Sequence, residues 1–173
     1  MTQQRRNDII AVVGLNLGAT LGVGGTLVSS DSLRQILWTI DGVGVVVATS
    51  LLAVRFFRSG DDLAAAGFLV FALGESLLIS GTAAGLDASV PSFGGGVALW
   101  SAGLLMLSLS ASLAQWVRAI HAVAAVMFAI VAGRIASGAH LVPTSSPLPF
   151  FAYPFVVLGF VGWIVTIVKT RSA

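Results

Sequence analysis

The stretch Gly67-Phe-Leu-Val-Phe-Ala-Leu-Gly-Glu-Ser-Leu-Leu-Ile-Ser80 is apolar throughout except for one charged side chain, Glu75, which is the only glutamate in the chain. A carboxylate that faced lipid in the middle of such a segment would cost at least about 2.5–3.5 kcal/mol. Glu75 should therefore face protein or water. The stretch predicts a membrane-spanning helix and, on its inner face, a polar site.

Five further stretches have the same apolar character. The chain of 173 residues is 57% hydrophobic and only 9% charged, whereas soluble domains carry about 25% charged residues. A helix that crosses a bilayer needs about 20 mostly apolar residues. The sequence predicts an all-α bundle of six transmembrane helices forming a single transmembrane domain, 1–173, with the lipid bilayer as its main partner. The predicted spans are 9–29, 33–56, 63–82, 94–113, 117–137 and 148–168.

The orientation follows from the positive charges, because cytoplasmic loops are enriched in Lys and Arg. Seven of the nine cations fall on one side of the predicted spans, and only Arg34 and Arg134 fall on the other. Both termini are predicted to be cytoplasmic. The preference for Arg over Lys, with abundant Ala and Gly, is typical of a GC-rich bacterial genome, so we expect a multi-pass protein of the bacterial cytoplasmic (inner) membrane. The seven cations are Arg5, Arg6, Arg55, Arg58, Arg118, Lys169 and Arg171.

Two patterns concern assembly. Residues 17–26 align with residues 73–82. The dipeptides Phe-Ala at 71–72 and Ser-Gly at 80–81 recur at 128–129 and 137–138. These matches predict three antiparallel hairpins in pseudo-threefold repeat, against the alternative of chance among common small residues.

Glycines 14, 18 and 22 line one helix face, which favours close backbone packing in a membrane. Another span is the favoured partner of this face, and a second copy in a homo-oligomer is the alternative.

Glu75 has one polar companion at comparable depth. Asp41 lies in the second span, one turn from Trp38, in the same predicted outer leaflet. Each carboxyl has two interpretations: a ligand- or ion-binding group suited to reversible protonation, or a structural group. Arg134 would either pair with one of them or extend to the membrane surface. Asn16 and Tyr153 are further candidates for the pocket.

The remaining candidates lie nearer the helix ends. His121, one turn inside the cytoplasmic side, is a candidate proton relay or a packed structural residue. It lies in the opposite leaflet from His140, so the two cannot ligate one haem. Pro154, inside the sixth predicted span, is expected to kink that helix and to open the bundle beside Tyr153.

Several activities lack any sequence signal. The chain has no cysteine, and it carries neither a zinc-protease motif, nor a nucleophile elbow, nor a phosphate-binding loop. No cofactor, metal site or nucleic-acid partner is predicted, and an enzyme is less supported than a non-enzyme. The sequence predicts a small membrane protein that binds or translocates a small solute or ion through a polar pocket in the outer half of the membrane. The alternative is a non-transporting scaffold, accessory subunit or stress-response protein that acts through helix–helix assembly.

Overall fold

The computed structural model of the chain describes residues 2–169. Across that range it consists of six helices, each long and apolar enough to cross a membrane. The predicted all-α, six-span architecture is confirmed, and it indicates a multi-pass membrane protein. The helices are α1, Gln3–Leu27; α2, Asp31–Arg58; α3, Asp62–Thr82; α4, Val90–Leu109; α5, Gln115–Ala136; and α6, Phe150–Lys169.

Side-chain caps set several helix starts. The side chains of Thr2, Ser30 and Asp61 each accept a hydrogen bond from a backbone N–H in the first turn of α1, α2 and α3, which satisfies a donor that has no partner inside the helix. The first span therefore begins at Gln3 and not at residue 9. The fourth begins at Val90 and not at residue 94, because Pro91 is tolerated in a first turn.

Short connections make consecutive helices antiparallel neighbours. Each helix packs against the next one in the chain, and α6 also contacts α1. We call the end where α1 begins and α6 finishes the termini end, and the opposite end the link end. The link end carries the connections 28–30, 83–89 and 137–149. The pseudo-threefold repeat and the cytoplasmic location of the termini stay predictions, and Arg171 lies outside the described residues.

The glycine face of α1 packs inside the chain. A Cβ atom at Gly14 would overlap the carbonyl oxygen of Gly44 on α2, and one at Gly18 would meet Val45 and Phe160. Lipid gives helices no hydrophobic drive to associate, so close backbone contact of this kind stabilises a membrane bundle. Within the chain, residues of α2 and α6 pack against this face, as the internal alternative predicts.

Aromatic rings from four helices fill the centre of the bundle. Phe71 stacks on Trp100 at 5.0 Å between ring centroids, and it meets Trp163 edge-on at 5.5 Å. Phe68, Phe128 and Phe160 complete the cluster and are buried. Such ring pairs add about 0.5–1.5 kcal/mol beyond the area that they bury.

Polar contacts join helices at the termini end. Arg55 donates to the buried carboxylate of Asp8 at 2.5 Å, which joins α1 to α2. Ser110, just after α4, donates to the Asp61 carboxylate at 2.6 Å, and this turn ends α4 at Leu109 and not at residue 113. These contacts therefore join α1 to α2, and the start of α3 to the end of α4, at the termini end.

The sixth helix begins in a way that removes the reason for the expected kink. A 3₁₀ turn, Phe150–Ala152, leads into the α-helix Tyr153–Lys169. Pro154 thus lies in the first α-helical turn, where a missing N–H breaks no intrahelical bond. The helix needs no kink at that position.

Gly14→Leu is expected to destabilise the fold by about 1–3 kcal/mol or more, because a side chain at this position would force α1 away from α2. The measurement is unfolding by a denaturing detergent in mixed micelles, followed by circular dichroism. Gly133→Leu on α5 is the matched control, since a Cβ atom there meets open space. Equal stability of the two variants would show that the α1–α2 contact contributes little.

Asp61 should give the stability a dependence on acid pH. Partial burial acts to raise the pKa of Asp61, but hydrogen bonds from Ser110, Ala64 and Ser112 outweigh it, and the pKa lies below its usual 3.8. A lowered pKa means that folding favours the charged form. Its contribution to stability is present above the unfolded pKa and is lost as the pH falls through the folded pKa.

The stability difference between the native protein and Asp61→Asn should therefore shrink as the pH falls below about 4. Unfolding at a series of pH values measures it, with Asp62→Asn, at an exposed neighbouring acid, as the control. A difference that stays constant through the acid range would exclude a role for the Asp61 charge.

Candidate functional site

A cavity of about 350 Å³ lies between the helices in the half of the bundle nearer the link end. Its volume falls in the range of small-molecule sites. Exposed acids at its rim, Asp31 and Asp87, place its mouth at the link end. Most of its wall is apolar or aromatic. Among the lining residues are Gly18, Gly22, Thr26, Arg34, Trp38, Asp41, Glu75, Ile79, Phe93, Trp100, Pro143, Tyr153 and Phe160.

Glu75 reaches this cavity from α3. The residue is only 5% exposed, and it faces α2, where a Cβ atom at Gly42 would lie 3.0 Å from its Oε1 atom. A larger residue at 42 would also collide with Ile79, one turn along α3. Glycine at this position therefore makes room for the glutamate side chain between two tightly packed helices.

Asp41 reaches the same cavity from α2 and lies against α1. A Cβ atom at Gly22 would lie 2.8 Å from its Oδ2 atom, and one at Gly18 would lie 3.3 Å from Oδ1. Both glycines line the cavity with the carboxylate. Each acid is thus accommodated by glycine on the neighbouring helix.

The two glycines bound a π-helical turn, Gly18–Gly22, within α1. Single π-helical turns shift the hydrogen-bond pattern of a helix and are frequent at functional sites. The Trp38 indole donates to the carbonyl oxygen of Gly22 at 3.2 Å, and the Thr20 hydroxyl donates to that of Asn16 at 2.7 Å. Side chains therefore support the backbone where the helical pattern changes.

Among the described residues, neither Asp41 nor Glu75 has a cation partner. No basic side chain in residues 2–169 forms an ion pair with Asp41 or Glu75. The two acids repel each other. Tyr153 donates its hydroxyl to the carbonyl oxygen of Pro143 at 2.9 Å. The Trp100 indole N–H is buried and lacks hydrogen-bond geometry to any acceptor, although it is near enough to Glu75 to interact with it. Negative charge in this cavity is left for a ligand or a proton to balance.

Among the described residues that line the cavity, one is basic, Arg34 at the mouth. Its guanidinium pairs with Asp31, donates to the carbonyl oxygen of Val28 at 2.6 Å, and lies over the Trp38 ring at 5.9 Å. Arg34 precedes Asp41 by two helical turns, which is about 10 Å along the axis. The positive charge of Arg34 is therefore balanced by Asp31 at the rim and does not neutralise Asp41 and Glu75 deeper in the cavity.

The structure brings three of the predicted site residues together and leaves others apart. Glu75, Asp41 and Tyr153 line one cavity. Arg134 is exposed on α5, outside the cavity lining, and pairs with neither carboxylate. The exposed Asn16 donates its amide to the carbonyl oxygen of Val12 at 2.7 Å, within its own helix, so it also lies apart from the cavity.

His121 lies in a separate environment. It is fully buried on α5, 5.4 Å from the Trp163 ring, and neither ring nitrogen has a hydrogen-bond partner among the described residues. Gly159 on α6 packs against the His121 ring, since a Cβ atom at Gly159 would lie 3.2 Å from Nε2 of His121. Its role as a proton relay stays a prediction.

Sequence reasoning missed Arg34 and Trp38 as cavity residues, although the sequence carries a signal for both. Arg34, Trp38, Asp41 and Val45 are spaced by four, three and four residues, which puts them on one helix face. The position of Trp100 depends on how α4 is rotated against α3, and its own sequence neighbourhood carries no comparable signal.

Comparison of the chain with protein-family models, with curated proteins and with solved structures finds no match. Its function must therefore be inferred from the chemistry of the cavity. That chemistry consists of two unpaired carboxyl groups, a wall of aromatic and apolar side chains, and a mouth at one end of the bundle.

A cysteine introduced at Ile79 should react with a charged, membrane-impermeant thiol reagent, because Ile79 lines the cavity one turn from Glu75. The chain has no native cysteine, so the signal is specific. Ser76→Cys is the control: Ser76 is exposed on the outer surface of α3, where lipid should exclude the reagent. Reagent added to intact cells also tests whether the mouth faces outward. Equal labelling of both cysteines would contradict a water-accessible cavity.

Proposed function

We propose that this protein is a membrane-embedded binding protein, and candidate transporter, for a small organic cation. The observation that carries the proposal is the pair of carboxyl groups, Asp41 and Glu75, which share one cavity and have no basic partner within residues 2–169. Buried charges are ordinarily paired, because burying one alone is costly. A positively charged solute would supply the missing partner.

The charge balance of the cavity supports a cation. Its lining includes four acids and one base, and that base is already paired with one of the rim acids. A cleft lined by one sign of charge concentrates ions of the opposite sign. The four acids are Asp31, Asp41, Glu75 and Asp87, and the base is Arg34.

The aromatic wall supports an organic cation over a bare metal ion. Ring faces attract ammonium groups by about 0.5–2 kcal/mol, the larger values applying away from water. No cluster of three or more metal-ligating side chains occurs in the described part of the chain, so few oxygen ligands would replace the water around a metal ion. The lining rings are Trp38, Phe93, Trp100, Tyr153 and Phe160.

Transport in this proposal requires access from both sides in turn. The cavity faces the link end, and the rings of Phe71, Phe160 and Trp163 pack on the side towards the termini. This arrangement corresponds to a carrier open on one side. With the termini in the cytoplasm of a bacterium, as the charges predict, the cavity would open to the outside.

The alternative, a scaffold that assembles through its glycine face, has less support. Gly14 and Gly18 are occupied by contacts within the chain, so substitution of either should disturb the fold before it disturbs an oligomer. A homo-oligomer formed through another surface is compatible with either function.

Benzyltrimethylammonium, an aromatic ring with one permanent charge, is a suitable probe. We expect one probe to bind per chain in detergent, as measured by calorimetry and native mass spectrometry. Glu75→Gln and Asp41→Asn should each weaken binding at least about tenfold, which corresponds to 1.4 kcal/mol. Asp62→Asn, at an exposed acid outside the cavity lining, is the control variant, and benzenesulfonate is the control for charge sign. Equal binding of the anion, or unchanged affinity in Glu75→Gln, would refute the proposed function.

A further inference from the structure

We infer that Asp41 and Glu75 together hold a proton in the empty cavity and release it when the organic cation binds. This inference rests on the proposed function and adds its coupling to protons. Its basis is geometric: two acids from neighbouring helices enter one largely apolar cavity, each fitted against a glycine.

The groups that face this pair do not supply a compensating charge. α1 and α4 present no titratable side chain to the cavity, and α5 does not line it. Tyr153, from α6, is neutral and donates its hydroxyl to a backbone carbonyl. At the mouth are Arg34, already paired with Asp31, and Asp87 from the link between α3 and α4, whose carboxylate lies 3.6 Å from Nε2 of the exposed His140.

Two carboxyl groups that share an apolar site do not both ionise readily, because each negative charge raises the cost of the other. They take up and release protons as a unit. An entering cation removes that cost, because its positive charge balances the second carboxylate. Release of the proton then becomes favourable, and the cation occupies the site.

The exchange balances in charge and atoms. The O–H bond of one carboxyl group breaks, its electron pair stays on the carboxylate oxygen, and water at the cavity mouth accepts the proton. The cation carries one positive charge in and the proton carries one out. A carrier with this site would use an inward proton gradient to expel its cation.

Benzyltrimethylammonium tests the exchange cleanly because it has no titratable proton. Calorimetric titrations in two buffers with different heats of ionisation count the protons released per cation bound. We expect about one proton for each cation near neutral pH, and an affinity that falls by up to about tenfold for each pH unit of acidification. Asp62→Asn, which changes an exposed acid outside the cavity lining, should release the same number of protons.

The single variants give a second readout. In Glu75→Gln or Asp41→Asn the remaining acid has lost its like-charged neighbour, so the pH at which affinity falls should move to lower values. Binding that shows neither proton release nor pH dependence would overturn the exchange and leave the proposed function standing. Release that disappears in Asp87→Asn would assign the proton to the rim and also overturn it. A protein that binds no cation at any pH would overturn both proposals.

Discussion

The cost of removing a carboxylate from water is the constraint on which the rest of this structure depends. Glu75 lies in the interior of α3 and is almost fully buried. Lipid cannot accept such a group, so α3 must turn it towards the protein. No basic residue in the described part of the chain meets it there, and Asp41 adds a second acid. The fold therefore maintains a polar cavity where a bundle of this size would otherwise close on apolar side chains.

Glycine makes that cavity compatible with tight packing. Gly14 and Gly44 bring the backbones of α1 and α2 together, while Gly22 on α1 and Gly42 on another face of α2 leave room for the two carboxyl groups. The same residue type thus closes the bundle on one face of α2 and leaves space on another. The π-helical turn, Gly18–Gly22, lies where α1 passes from the first role to the second.

The class of fold could be read from the sequence, and the site could be read in part. Apolar runs of about 20 residues have one physical solution in a membrane, which is a spanning helix. The need to shield a charge also indicated that Glu75 would face inward, and helix depth indicated that Asp41 would lie near it. These inferences depend on one helix at a time.

The remainder depends on how helices are rotated against one another, which a single sequence does not specify. Arg34 was used only to predict the orientation, although its guanidinium lies over Trp38 at the cavity mouth. Arg134, the cation predicted as a possible partner of the acids, lies exposed and outside the cavity lining. The rotation of α2 and α5 decides which of the two arginines meets the cavity.

The two ends of the cavity differ in how firmly they are held, and this difference bears on a transport cycle. Towards the termini, stacked rings and the contacts of Asp8 with Arg55 and of Asp61 with Ser110 join the helices. Towards the links, hydrogen bonds of Trp38 to Gly22 and of Tyr153 to Pro143 join neighbouring elements, while Asp41 and Glu75 form no ion pair among the described residues. Ligand binding would add charge pairing at this end. Closure of the mouth is therefore expected to follow from contacts between the ligand and the carboxylates of Asp41 and Glu75. Opening of the opposite side would require the aromatic rings that pack there to separate.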